Sequence, residues 1–119
     1  NWNRIYSIQS SQVQLKNAEL NLDNSKMQVI QEVSQAYNDY SSYVKQLEAS
    51  EKSLVASERA FQTQQERYNL GASTLIELTQ AQSSFVSAQS NYTQAMYNLI
   101  FQEKLLDFYL GKLKGDNIF

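Results

Sequence analysis

Three observations predict an all-α fold built as one long antiparallel coiled-coil helical hairpin: two runs of apolar residues at seven-residue spacing, a single glycine between them, and no proline. The first run is Val33, Tyr40, Leu47, Leu54, Phe61 and Tyr68. The second is Leu78, Phe85, Tyr92, Leu99, Leu106 and Leu113. A period of seven, sustained this long, belongs to helices that supercoil left-handedly so that one seam keeps facing a partner.

The first helix is expected over about residues 4–69, where nothing in the sequence interrupts the helical pattern. It ends at Gly71, a residue suited to the left-handed position that closes a helix. Residues 70–74 form the tip. Thr74-Leu75-Ile76-Glu77 then reads as a capping box, in which the Thr74 hydroxyl and the Glu77 carboxylate satisfy the first free N–H groups of a second helix over about residues 75–110. Folding back at Gly71 pairs the two ladders antiparallel: Tyr68 with Leu78, Phe61 with Phe85, Leu54 with Tyr92, Leu47 with Leu99, Tyr40 with Leu106 and Val33 with Leu113. Each pair of positions sums to 146, so one register satisfies all six. Ala81, Ala88 and Ala95 follow the second ladder at an offset of three. Ala49, Ala56 and Ala60 lie near the first. Large and small side chains are therefore expected to alternate and let the helices approach closely.

The two arms are unequal, and residues before about 32 have no antiparallel partner in this register. They are patterned nevertheless. Ile8, Leu15, Leu22 and Val29 form one stripe, and Val13, Leu20 and Met27 form another about 160° around the helix. A helix with apolar stripes on opposite sides needs two neighbours. AMYNLIFQEKLLDFYL, residues 95–110, is apolar nearly all round and also calls for burial on several sides. From Tyr68 to Gln102 the only Asp, Glu, Lys or Arg is Glu77. The free face of this helix carries Ser, Thr, Gln and Asn instead of charge, which suits a wall within an assembly.

Composition narrows the function. The chain has neither cysteine nor histidine, so thiol nucleophiles, imidazole bases, zinc sites of the usual kind and di-iron helical bundles are all disfavoured. A formal net charge of -2 with scattered Lys and Arg gives no basic face for nucleic acid. Neither a membrane-spanning helix of about 20 apolar residues nor the apolar core of a signal peptide is present in the sequence as it stands. The expectation is therefore a non-enzymatic chain with no cofactor and no metal; if it belongs to a secreted protein, it is a piece of one.

Quoted in order, NWNRIYS, EVSQAYNDY (32–40), RYNLGASTLIEL (67–78) running on to Ala81-Gln82, and LLDFYLGKL (105–113) resemble the bacterial outer-membrane efflux, or TolC-like, family. The resemblance covers nearly the whole chain. Its most specific part is the run from Arg67-Tyr68 through Gly71 and the apolar-acid-apolar triplet Ile76-Glu77-Leu78. It implies that residues 1–119 are a periplasmic α-helical hairpin, the helical part of the second of two repeats. The first repeat and the β-barrel strands would then lie outside these residues.

In the intact protein the hairpin would be part of a trimeric helical barrel of twelve helices, anchored in the outer membrane. The resemblance further implies a homotrimer that passively exports small molecules, driven by an inner-membrane pump through a periplasmic adaptor protein. Carried over by position, the adaptor-docking tip and entrance would be Arg67, Tyr68, Gly71, Ala72, Ser73, Thr74 and Glu77. Ser73 stands where one member of the family has a latching arginine. Gln80 stands where it has a second acid beside Glu77.

Each tip residue also has a structural reading. Glu77 serves as a capping carboxylate, Tyr68 as the last knob of the seam, Gly71 as a helix stop, and Arg67 with Glu66 as a solvated pair. Tyr37, Tyr43, Tyr97, Phe101, Phe108 and Tyr109 are assigned to packing. The alternative to the duct is a stand-alone antiparallel coiled coil acting as a structural or interaction module. The two-sided stripes of residues 8–30 favour the duct, because a two-helix module needs only one.

Overall fold

The computed structural model describes residues 2–115, which form two helices, α1 (Trp2–Asn69) and α2 (Leu75–Gly115). Both extend slightly beyond the expected limits, α2 by several residues because Gly111 is carried within it. An apolar segment with seven-residue spacing tolerates a helical glycine at a cost of about 1 kcal/mol relative to alanine. The chain divides into two compact units: Asn38–Leu105, and Asn1–Tyr37 with Leu106–Phe119.

Within Asn38–Leu105, α1 and α2 form the predicted hairpin. Phe61 stacks on Phe85 with ring centroids 5.8 Å apart and planes inclined by 9°, one of the pairs on which the 146 register rests. Leu47, Leu54, Leu78, Tyr92 and Leu99 are all half-buried, as ladder residues of a two-helix seam should be when no third helix covers the edges. Tyr68, the outermost, is more open at 40% exposure, so it closes the seam and also faces solvent.

The lane of small residues on α1 differs from the expected one. Ala49, Ala56 and Ala60 are exposed. The half-buried lane is Tyr43, Ser50, Ser57 and Gln64, three residues beyond each ladder position. In a heptad seam the second core position follows the first by three or four residues, and these alternatives lie on opposite sides of the ladder. Offsets of two from Leu47 and Leu54 point away from it. The register brings Ser50 and Ser57 to the level of Ala95 and Ala88, both buried. A serine in a seam must satisfy its hydroxyl, and both do so on their own helix: Ser50 donates to the Leu47 carbonyl at 2.8 Å and Ser57 to that of Leu54 at 2.9 Å. Gln102, in the same lane of α2 as Ala88 and Ala95, is buried.

In the other unit, Val29, Ala36 and Leu113 are buried and Val33 and Tyr109 are half-buried. Lys112 pairs with Glu32 at 3.3 Å, an ion pair open enough to contribute at most about 1 kcal/mol. Phe108 and Tyr109 meet edge to face at 5.5 Å. Residues 2–25 are exposed throughout, including Ile8, Leu15 and Leu22 of one stripe and Val13 and Leu20 of the other. Of the aromatics assigned to packing, Tyr43 and Tyr109 are covered, whereas Tyr37, Tyr97, Phe101 and Phe108 are each more than 60% exposed.

Candidate functional site

The tip is assembled from hydrogen bonds that its sequence dictates. Asn69 ends α1, and the Ala72 N–H donates to the Arg67 carbonyl at 2.8 Å while the Gly71 N–H donates to that of Tyr68 at 3.0 Å. These are the six-to-one and five-to-two bonds of a Schellman motif, and they require a left-handed residue between them. Gly71 supplies it, with φ of 76°. Open space surrounds Gly71, so backbone conformation alone selects glycine here.

The start of α2 is the capping box read from the sequence. The Glu77 N–H donates to the Thr74 hydroxyl at 3.2 Å, and the Thr74 N–H donates to the Glu77 carboxylate at 3.2 Å. Two of the free donors of the first turn are thereby satisfied reciprocally.

Ser73 links the two caps. Its Oγ lies 2.8 Å from Glu77 Oε2 and 2.7 Å from Gln64 Oε1. A hydroxyl carries one proton and cannot donate to both. Donation to the charged carboxylate is the stronger bond, so the Gln64 amide completes the arrangement by turning its NH2 toward Ser73. Ser73 thus ties the last turns of α1 to the first turn of α2. The Glu77 carboxyl is held below the usual carboxylate range, chiefly by the Ser73 hydroxyl, then by the Thr74 N–H, with the Arg67 charge adding to both.

Arg67 is placed differently from the solvated pair expected with Glu66: its Nη2 donates to the Ala72 carbonyl at 3.2 Å, folding the side chain over the turn. Every member of the expected set, Arg67, Tyr68, Gly71, Ala72, Ser73, Thr74 and Glu77, therefore belongs to one local structure. Gln64 joins it, and a Gln nine residues before a serine gave no local signal of that. Three apolar residues belong to it as well. Leu70, Leu75 and Ile76 are 84%, 62% and 71% exposed, on a turn whose backbone is pinned at both ends. Their signal lay in the sequence: Ile76 falls two residues before the ladder residue Leu78 and must point away from the seam.

Among the described residues no group of His, Cys, Asp and Glu could hold a metal ion, and no helix is long and apolar enough to cross a membrane. The tip presents exposed apolar side chains beside the ionised Glu77 carboxylate. No curated protein and no solved structure matches the chain. The family model described as outer membrane efflux protein matches residues 1–112. With the seven-spaced hairpin and its capped tip already in place, that match over nearly the whole length establishes that the chain belongs to the outer membrane efflux protein family, whose members are transport channels.

Proposed function

We propose that these residues supply periplasmic wall and entrance tip to a trimeric outer-membrane duct, with the tip docking a periplasmic adaptor that couples the duct to an inner-membrane pump. In this reading the segment is the helical part of the second repeat, export of small molecules through it is passive, and no residue is catalytic. The observation that carries it is the exposure of Leu70, Leu75 and Ile76 on a turn held by two interlocked caps. Apolar side chains presented on a fixed backbone lose little conformational freedom when a partner covers them.

Glu77 stays ionised at neutral pH, so three copies around an entrance would set a ring of negative charge there. The absent latch at Ser73 supports an entrance held by the serine's bonds to Gln64 and Glu77 within each hairpin, in place of a bond to a neighbour.

The test replaces Ala72 with Trp and Ile76 with Glu in the intact protein and measures drug sensitivity together with adaptor cross-linking. Loss of both, with outer-membrane abundance unchanged, is the expected result. Unchanged export and cross-linking would remove the tip from adaptor docking.

A further inference from the structure

The apolar surface of the tip is drawn from both helices. Leu70 follows the last residue of α1, whereas Leu75 and Ile76 open α2. Its shape therefore depends on the angle between the two helix ends. Each cap fixes one end by itself: the Schellman bonds join Ala72 and Gly71 to Arg67 and Tyr68, and the capping box joins Thr74 to Glu77. Neither cap reaches the other helix. The seam also thins out here, because Tyr68, its outermost ladder residue, stands partly in solvent.

Gln64 supplies the connection. It is the last side chain of the α1 lane that runs through Tyr43, Ser50 and Ser57, since the next position seven residues on is Gly71. The register sets it level with Ala81, whose small methyl group leaves length for a long side chain beside it. A half-buried glutamine needs a partner for its amide, and Ser73 Oγ lies 2.7 Å from the end of that amide, nine residues along the chain. The same hydroxyl lies 2.8 Å from Glu77 Oε2. With Gln64 donating to Ser73 and Ser73 donating to Glu77, one chain of bonds runs from the body of α1, across the turn, into the first turn of α2. Leu70, Leu75 and Ile76 are exposed while Gln64 is half-buried, so the glutamine shapes the surface from beneath.

We propose that Gln64 is a positioning residue for adaptor docking: through Ser73 it holds the start of α2 at a set angle to the end of α1, so that Leu70, Leu75 and Ile76 meet the adaptor as one surface. This rests on the docking reading of the tip.

The experiment uses the intact protein in cells, with benzoylphenylalanine incorporated in place of Leu70 and the adaptor cross-link normalised to the amount of protein in the outer membrane. Gln64→Met keeps the length and helix propensity of glutamine and removes its amide; Gln64→Ala is the second variant. Loss of one hydrogen bond of ordinary net strength lowers the cross-link about three- to ten-fold in both. Ser73→Ala lowers it by a similar factor. The double variant Gln64→Met with Ser73→Ala lowers it no further than Ser73→Ala alone, because the two residues act in series. Ser57→Ala removes a seam hydroxyl bonded within α1 and leaves the cross-link within about two-fold of the unsubstituted seam. Cross-linking of both Gln64 variants at the level of the unsubstituted seam overturns the positioning role and leaves docking standing. So does a double variant whose factor is the product of the two single ones, as independent seam damage would give. Loss of both Gln64 variants from the outer membrane overturns it as well, because the glutamine would then serve the fold. Absence of any adaptor cross-link from Leu70 without further substitution overturns the docking reading, and this inference with it.

Discussion

Replacing Gly71 with alanine isolates one cause of the tip's geometry. The glycine has φ of 76° and a Cβ added there meets nothing within 4 Å, so the usual steric contribution is nil. What remains is the intrinsic penalty for an L-residue in the left-handed region, about 1–2 kcal/mol. Gly71→Ala should therefore destabilise the hairpin by about 1–2 kcal/mol, or roughly 4 °C in Tm per kcal/mol for a chain of this size. D-alanine introduced by semisynthesis reverses the sign. It adopts this φ without strain and restricts the unfolded chain, for a gain of about 0.4–1 kcal/mol. The assay is urea unfolding of the 119-residue chain followed by far-ultraviolet circular dichroism. Opposite signs for the two enantiomers are the expected outcome. Equal effects of the same sign would show that a contact, and not the backbone angle, selects glycine, and the Schellman account of the tip would be abandoned.

Other consequences are equally direct. Because the folded Glu77 carboxyl titrates below its unfolded value of about 4.3, its contribution is complete above that pH and is lost as pH falls through the folded value. The stability difference between wild type and Glu77→Gln should therefore be flat at neutral pH and shrink in acid, and NMR titration of Ser73→Ala should find the Glu77 pKa raised. Ala88→Leu overfills the seam and should cost about 1–3 kcal/mol, whereas Ala56→Leu on the exposed side of α1 should stay within about 0.5 kcal/mol, both read from urea midpoints. A double-mutant cycle of Phe61→Leu and Phe85→Leu should give a coupling of about 0.5–1.5 kcal/mol, as stacked rings 5.8 Å apart require; a coupling near zero would contradict the register.

The tip presents Leu70, Leu75 and Ile76, while the outer face of α2 presents Val86, Tyr97 and Ile100. Both are uncharged apart from Glu77 and, at the tip, Arg67. A two-helix module would leave these apolar side chains in water, which is why a stand-alone coiled coil is the weaker reading of these residues.

The sequence by itself determined the helices, the turn, the antiparallel register and the capping box. Each rests on short-range chemistry or on a repeating period: a glycine beside its helix end, a threonine three residues before a glutamate, and apolar residues every seven positions. Only the tertiary structure decided which neighbours of the ladder share the seam. Ser50 and Ser57, three residues beyond the ladder, line the seam, whereas Ala49 and Ala56, at an offset of two, point away from it. Ser73 is similar. The sequence placed it in the tip and said nothing of its partners, but the path of the chain through Gly71 brings Gln64 and Glu77 to the same hydroxyl from two helices. A polar contact made by a single side chain across two elements leaves no trace in the seven-residue spacing of either one.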